Sequence, residues 1–133
     1  MISSIVSRSS AAFLLCLGLA LLFAPDAILG TLTPGFPPQA SWLGQLLAAA
    51  WLGIASLNWM QRTAIIGGIY ARPLVSTNFV VYVVSALSMV RVVSTPGAVS
   101  GAWLLTVPMC VLAVAYAALM FRGPFDPLPT SGG

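Results

Sequence analysis

An all-α, polytopic membrane protein with four transmembrane helices in a compact bundle is the fold that this sequence predicts. Hydrophobic residues make up 59% of the chain and charged residues 5%, whereas about a quarter of the residues in a soluble domain are charged. The sequence contains four apolar stretches, each near the roughly 20 residues that cross the hydrocarbon core of a bilayer. We therefore assign residues 1–122 to a single transmembrane domain.

The first helix is predicted at about residues 11–30. Its uninterrupted apolar run, residues 11–24, is also typical of a secretory signal peptide, and removal of the segment is the competing interpretation. No A-x-A cleavage site follows the run, so we favour retention of the segment. Pro25 and Asp26 suit the first turn of a short helix that continues through Leu29 and bends away from the main span near the interface.

The other three helices are predicted at about residues 42–60, 74–94 and 101–121. Segments rich in proline and glycine separate them, and such residues favour turns over continued helix. The C-terminal tail, residues 123–133, is also rich in proline and glycine. It has no apolar face to bury, so it is predicted to be extended or frayed.

The arginines predict the orientation of the chain. If the N-terminus is cytoplasmic, four arginines lie inside, namely Arg8, Arg62, Arg72 and Arg122, and Arg91 alone lies outside. The positive-inside rule then predicts that both termini are cytoplasmic. Arginine replaces lysine throughout the chain, which often accompanies GC-rich coding and indicates a bacterial inner membrane protein.

Aromatic residues mark the two expected membrane interfaces. Trp59 and Tyr70 are predicted to anchor the cytoplasmic side, and Trp42, Trp103 and Phe36 the opposite side. Tryptophan and tyrosine are enriched at headgroup depth because their rings are apolar while their N–H or O–H groups reach water.

The best candidate for a functional polar face lies on the third predicted helix. Asn78, Tyr82 and Ser85 follow at steps of four and three residues, which places them on one helical face. This face either lines a ligand site or a pore, or it bonds to a neighbouring helix, and we favour bonding to a helix. Asn58 and Gln61, at the end of the second predicted helix, are expected to be satisfied by interfacial water.

Small residues predict where helices approach closely. Ala49 and Gly53 are four residues apart on the second predicted helix, and Ala113 and Ala117 are four apart on the last. Membrane helices use such pairs for van der Waals packing, so these four residues are candidate helix contacts.

The sequence lacks the residues that most catalytic and metal sites need. It has no histidine, and its two acids, Asp26 and Asp126, lie outside the apolar runs. Cys16 and Cys110 lack the C-x-x-C spacing of a metal or redox site. Five scattered arginines form no patch for nucleic acid. We therefore expect no catalytic residue, cofactor, metal or nucleic-acid partner.

Two functions fit these observations. We expect a small non-catalytic integral membrane protein that packs as a structural or accessory subunit within a larger membrane complex. Its partners would be membrane lipids and other membrane protein subunits, or further copies of itself. The alternative is a small oligomeric carrier or channel lined by the polar face of the third helix.

Overall fold

The computed structural model describes residues 2–62 and 71–122, and these residues contain α-helices and short 3-10 helices but no strand. The predicted interface anchor Tyr70 and the predicted tail, residues 123–133, lie outside the described residues. The α-helices, in chain order, are α1 (Ile2–Phe23), α2 (Pro25–Leu32), α3 (Ser41–Met60), α4 (Ala71–Val93) and α5 (Trp103–Arg122).

Four of the described helices, α1, α3, α4 and α5, are long and apolar enough to span a membrane. Their candidate spans contain 22 or 23 residues. A helix of that length measures about 33 Å, slightly more than the roughly 30 Å of bilayer hydrocarbon. The all-α transmembrane prediction is therefore confirmed, and the protein is an integral membrane protein.

The first spanning helix begins earlier than the apolar pattern indicates. α1 starts at Ile2 and ends at Phe23, whereas the prediction placed it at about residues 11–30. The early turns were missed because they carry serines, and three of these are buried in the packed face of α1: Ser3, Ser7 and Ser10. A buried hydroxyl is compatible with a membrane helix when a neighbouring helix provides its partner.

The short helix after α1 is present and is longer than predicted. α2 has Pro25 at its first position, where the missing backbone N–H removes no helical hydrogen bond, and it continues to Leu32. The hydroxyl of Ser41, the first residue of α3, donates a hydrogen bond to the carboxylate of Asp26. This bond links the start of α2 to the start of α3.

The four spanning helices form two hairpins. The first hairpin comprises α1 and α3 with α2 in the connection between them, and the second comprises α4 and α5. A core of buried side chains joins the hairpins; it includes Leu14 of α1, Ala55 of α3, Tyr82 of α4 and Tyr116 of α5. Most other large apolar side chains are exposed on the outside of the bundle, as expected for surfaces that face lipid or another subunit.

The close contact in the first hairpin involves other small residues than those predicted. Ala49 and Gly53 are exposed, and a Cβ built at Gly53 would have no atom of another described helix within 4 Å. Instead, Gly44, Ala48 and Ala55 form the buried small-residue face of α3. Adjacent helix positions differ by about 100°, so a one-residue error in register selects another face. Within residues 2–62 and 71–122, the predicted pair on α3 therefore lies on an exposed face of the helix, outside the close contact with α1.

The small-residue pair on α5, Ala113 and Ala117, was predicted to contact a neighbouring helix, and it is more buried than the pair on α3. Ala113 belongs to the buried core between the helices, and Ala117 is half-buried. α4 and α5 are closely packed neighbours along this hairpin. The α5 pair is thus in a position to support helix packing.

Candidate functional site

Two asparagines join the hairpins through a reciprocal pair of hydrogen bonds. Asn58 Nδ2 donates to Asn78 Oδ1 at 2.8 Å, and Asn78 Nδ2 donates to Asn58 Oδ1 at 2.7 Å. Both side chains have an exposed fraction of 0%. The pair therefore connects α3 to α4 in an environment that water does not reach.

A serine and a tyrosine extend this pair to α1. Asn58 Nδ2 also donates to Ser10 Oγ at 2.8 Å, and Ser10 Oγ lies 2.6 Å from the hydroxyl oxygen of Tyr82, with either group as donor. Ser10 and Tyr82 are also fully buried. We call Ser10, Asn58, Asn78 and Tyr82 the polar network; it connects three of the four spanning helices.

Within the polar network, both amide groups are fully used as donors. A side-chain amide has two N–H donors, and those of Asn58 point to Asn78 and Ser10. Those of Asn78 point to Asn58 and to the backbone carbonyl of Leu74, the latter at 2.9 Å. The network therefore has no spare amide donor for a ligand in this conformation.

A second tyrosine packs against the network without joining it. The rings of Tyr82 and Tyr116 are stacked, with centroids 5.5 Å apart and an interplanar angle of 11°. The Tyr116 hydroxyl is buried and has no hydrogen-bond partner among the described residues, although it lies near the hydroxyls of Ser7 and Ser10. A buried hydroxyl without a partner is destabilising, whereas its ring contributes apolar packing.

The two stacked tyrosines are expected to respond differently to removal of their hydroxyls. Tyr82→Phe should lower the free energy of unfolding by about 1 kcal/mol, because the buried Ser10 hydroxyl loses its bond to Tyr82 and keeps only the one from Asn58. Tyr116→Phe keeps the stacked ring and removes an unpaired hydroxyl, so stability should stay constant or rise. Thermal unfolding of both variants in one detergent checks this. An equal loss in both would contradict the unpaired state of the Tyr116 hydroxyl.

The predicted polar face divides into two environments. Asn78 and Tyr82 belong to the polar network, where they bond to neighbouring helices. Ser85 is half-buried and lies apart from the network, beside an apolar cleft. The prediction that Asn58 is satisfied by interfacial water is wrong, since this residue is buried and bonded to Asn78 and Ser10.

Sequence reasoning missed Ser10 as a network residue. The missed signal was the spacing of Ser3, Ser7 and Ser10, which recur at steps of four and three on one face of α1. Because the first helix was predicted from its uninterrupted apolar run, this serine-containing segment lay outside the predicted helix. The periodicity of the serines would have indicated a packed polar face instead.

The predicted topology anchors lie at one end of the bundle. The polar network brings together the N-terminal parts of α1 and α4 with the C-terminal part of α3, and α5 ends at the same side. This end, which we call the arginine end, holds four arginines: Arg8, Arg62, Arg72 and Arg122. The guanidinium of Arg62 lies 4.5 Å from the ring centroid of Trp59 and donates to its carbonyl oxygen at 2.7 Å. Arg91 lies near the opposite end, at the last turn of α4.

The chemistry available at the polar network is hydrogen bonding. Its amides and hydroxyls carry no charge at neutral pH. Among residues 2–62 and 71–122, no group of three or more His, Cys, Asp and Glu side chains is placed to hold a metal ion. Cys16 and Cys110 are both free thiols.

Comparison of the chain with protein-family models, with characterised proteins and with solved structures finds no significant match. Its function is therefore inferred from the geometry of the polar network and from the surfaces that surround it.

Proposed function

We propose that this protein is a non-catalytic structural or accessory subunit that packs within a larger membrane complex. The observation that carries the proposal is the closed polar network. Its members, Ser10, Asn58, Asn78 and Tyr82, are buried and bonded to one another. The amide and hydroxyl groups of the polar network thus bond to one another and connect the helices of this chain. The outer surface of the bundle is mainly apolar and can contact lipid or another subunit.

The same network argues against a polar path along α4. A carrier or channel lined by Asn78, Tyr82 and Ser85 needs these side chains to meet water or substrate. The first two have an exposed fraction of 0%, and the Asn78 amide donates to Asn58 and to the backbone. Opening such a path would break bonds between the hairpins, which favours the packing role over the transport role.

A groove on the outside of the first hairpin supports contact with a partner helix. It has a volume of about 530 Å³ and lies between α1 and α3. Its lining includes the small residues Ala11, Ala12, Ala55 and Ser56, next to Trp59. Small residues let two membrane helices approach closely, and close approach is a main source of association between helices in lipid. We propose that a transmembrane helix of another subunit packs into this groove.

We further propose that the protein resides in a bacterial inner membrane with both termini cytoplasmic. The support is the charge distribution, since four of the five arginines lie at the arginine end. Positively charged residues next to short loops favour the cytoplasmic side.

The accessory role predicts a stable complex after mild extraction. Native mass measurement of the affinity-purified chain should show a particle with other membrane subunits. Ala12→Leu, which places a larger side chain in the groove, should reduce recovery of the partner. Gly53→Leu is the control, because Gly53 is exposed on α3 but does not line the groove. A homo-oligomer that carries substrate flux would reject the accessory role.

Thiol labelling tests two points together: whether water reaches Tyr82 and Ser85 on α4, and which side of the membrane each connection faces. In a variant without Cys16 and Cys110, cysteines at Tyr82 and Ser85 should not react with a membrane-impermeant maleimide. Tyr82 is fully buried, and Ser85 faces an apolar cleft that does not favour water. Thr95→Cys, in the exposed connection after α4, is the external positive control. Gln61→Cys, at the arginine end, should react only after the cells are permeabilised.

Rapid labelling at both 82 and 85 in the intact complex would favour the carrier over the accessory subunit. Labelling of Gln61→Cys in intact cells, with Thr95→Cys protected, would reverse the proposed orientation. The two outcomes are independent, because one reports water along α4 and the other reports the side of each connection.

A further inference from the structure

The hairpins form an apolar cleft on the side away from the arginine end. The cleft has a volume of about 330 Å³, within the roughly 300–1,000 Å³ of small-molecule pockets. All five α-helices line it, through side chains that include Leu17, Leu29, Trp51, Met89 and Met109. Its hydroxyl-bearing side chains are those of Ser85 and Ser88, and the Ser88 hydroxyl donates to its own helix, to the Val84 carbonyl at 2.8 Å. The cleft therefore offers apolar contact and little hydrogen bonding.

The position of the cleft indicates what fills it. Four of the five helices that line it are candidate membrane-spanning helices, so most of its surroundings are bilayer hydrocarbon. Water is disfavoured there, because a buried water needs two to four polar partners. An empty space of this size would forfeit the packing contacts of every side chain around it. A hydrocarbon chain from the bilayer supplies those contacts without any loss of hydrogen bonds.

The cleft is open to such a chain from the side. Val84 and Leu47, which line it, keep exposed fractions of 58% and 43%. At its outer end, α2 contributes the side chains of Ile28, Leu29 and Leu32, whose spacing of one and three residues places them on one helical face. α2 thus provides an apolar wall near the interface, where the headgroup of a lipid lies.

We propose that this cleft binds an acyl chain of a membrane phospholipid. The chain enters between the hairpins and runs past Trp51 towards the polar network, while the headgroup stays at the level of α2. This site goes beyond the accessory role, since it requires no partner subunit. A bound lipid would fill the space between the hairpins on the side that the polar network does not connect.

Fluorescence quenching of Trp51 tests the site in the full chain. Trp42, Trp59 and Trp103 are changed to phenylalanine, and the protein in detergent is titrated with phospholipid that carries brominated acyl chains. We expect saturable quenching at about one lipid per chain. Ala20→Phe places a ring in the cleft and should weaken the apparent affinity about tenfold. Ala49→Phe introduces the same ring on an exposed surface outside the cleft and should leave the affinity unchanged.

Two outcomes would overturn the proposal. Quenching that rises without saturation, equally in Ala20→Phe and Ala49→Phe, would show partition into the micelle only. A concentration-dependent dimer that Ala20→Phe abolishes would show that a second copy fills the cleft. Native mass measurement of the unaltered chain gives a check that needs no variant: one phospholipid should remain bound after detergent exchange, and its complete absence would reject the site.

Discussion

Replacement of Asn58 by leucine should lower the free energy of unfolding by about 2 kcal/mol. Leucine has the branched shape and the number of side-chain heavy atoms of asparagine and a somewhat larger volume, so the substitution leaves no cavity and the loss comes mainly from the hydrogen bonds. The change removes the partner of the Asn78 carbonyl and of one Asn78 N–H, and it removes the donor to Ser10. The orphaned groups remain buried in apolar surroundings. Unfolding in a mixed micelle, followed by circular dichroism, measures the effect.

Replacing both asparagines separates the effect of the Asn58–Asn78 hydrogen bonds from other effects of each substitution. Asn58→Leu combined with Asn78→Leu leaves neither amide unpaired, so its loss should be smaller than the sum of the two single losses by about 1 kcal/mol. Ser56→Ala is the control on the same helix, since the exposed Ser56 hydroxyl bonds only to the Leu52 carbonyl. Additive losses at Asn58 and Asn78 would contradict the reciprocal pair.

The sequence predicts the number of spanning helices because lipid imposes a simple constraint. A segment that crosses the bilayer must satisfy its backbone internally and present apolar side chains outward, so length and hydropathy suffice. The same criterion fails at the start of α1. There, Ser7 and Ser10 face a neighbouring helix instead of lipid, and hydropathy does not distinguish a polar residue in a packed face from one in water.

The polar network could be predicted in part. Helical periodicity is local, so the spacing of Asn78 and Tyr82 is enough to place them on one face. Their partners are not local: Asn58 is 20 residues from Asn78, and Ser10 is 72 residues from Tyr82. Such pairs depend on how the hairpins meet. In addition, Asn58 lies in the last turn of α3, where a sequence does not distinguish a buried amide from an interfacial one.

The small-residue pattern was the weakest predictor, for a related reason. Alanine and glycine are frequent on α3, and two of its faces carry such a pair at a spacing of four, Gly44 with Ala48 and Ala49 with Gly53. Only contact with α1 distinguishes Ala48, which is fully buried, from Ala49, which is exposed. We therefore expect a bulky substitution to destabilise the protein at Gly18 or Gly44, and not at Gly53.

Gly18→Leu should destabilise the first hairpin by about 3 kcal/mol, the upper part of the range for overpacked sites. A Cβ built at Gly18 would lie 2.8 Å from Cγ of Leu52 and 3.3 Å from the carbonyl oxygen of Ala48. The backbone oxygen cannot rotate away, so α1 and α3 must move apart to admit a larger side chain. This separation would loosen the contact along the whole hairpin.

Gly53→Leu provides the matched control on the facing helix. A Cβ at Gly53 would meet no other helix within 4 Å in the part of the chain that the structure describes, so the free energy of unfolding of the isolated chain should change by less than about 0.5 kcal/mol. Both variants replace a helical glycine by leucine, so their difference isolates the contact between α1 and α3. Equal unfolding temperatures for the two variants in detergent would show that α1 does not approach α3 closely at Gly18.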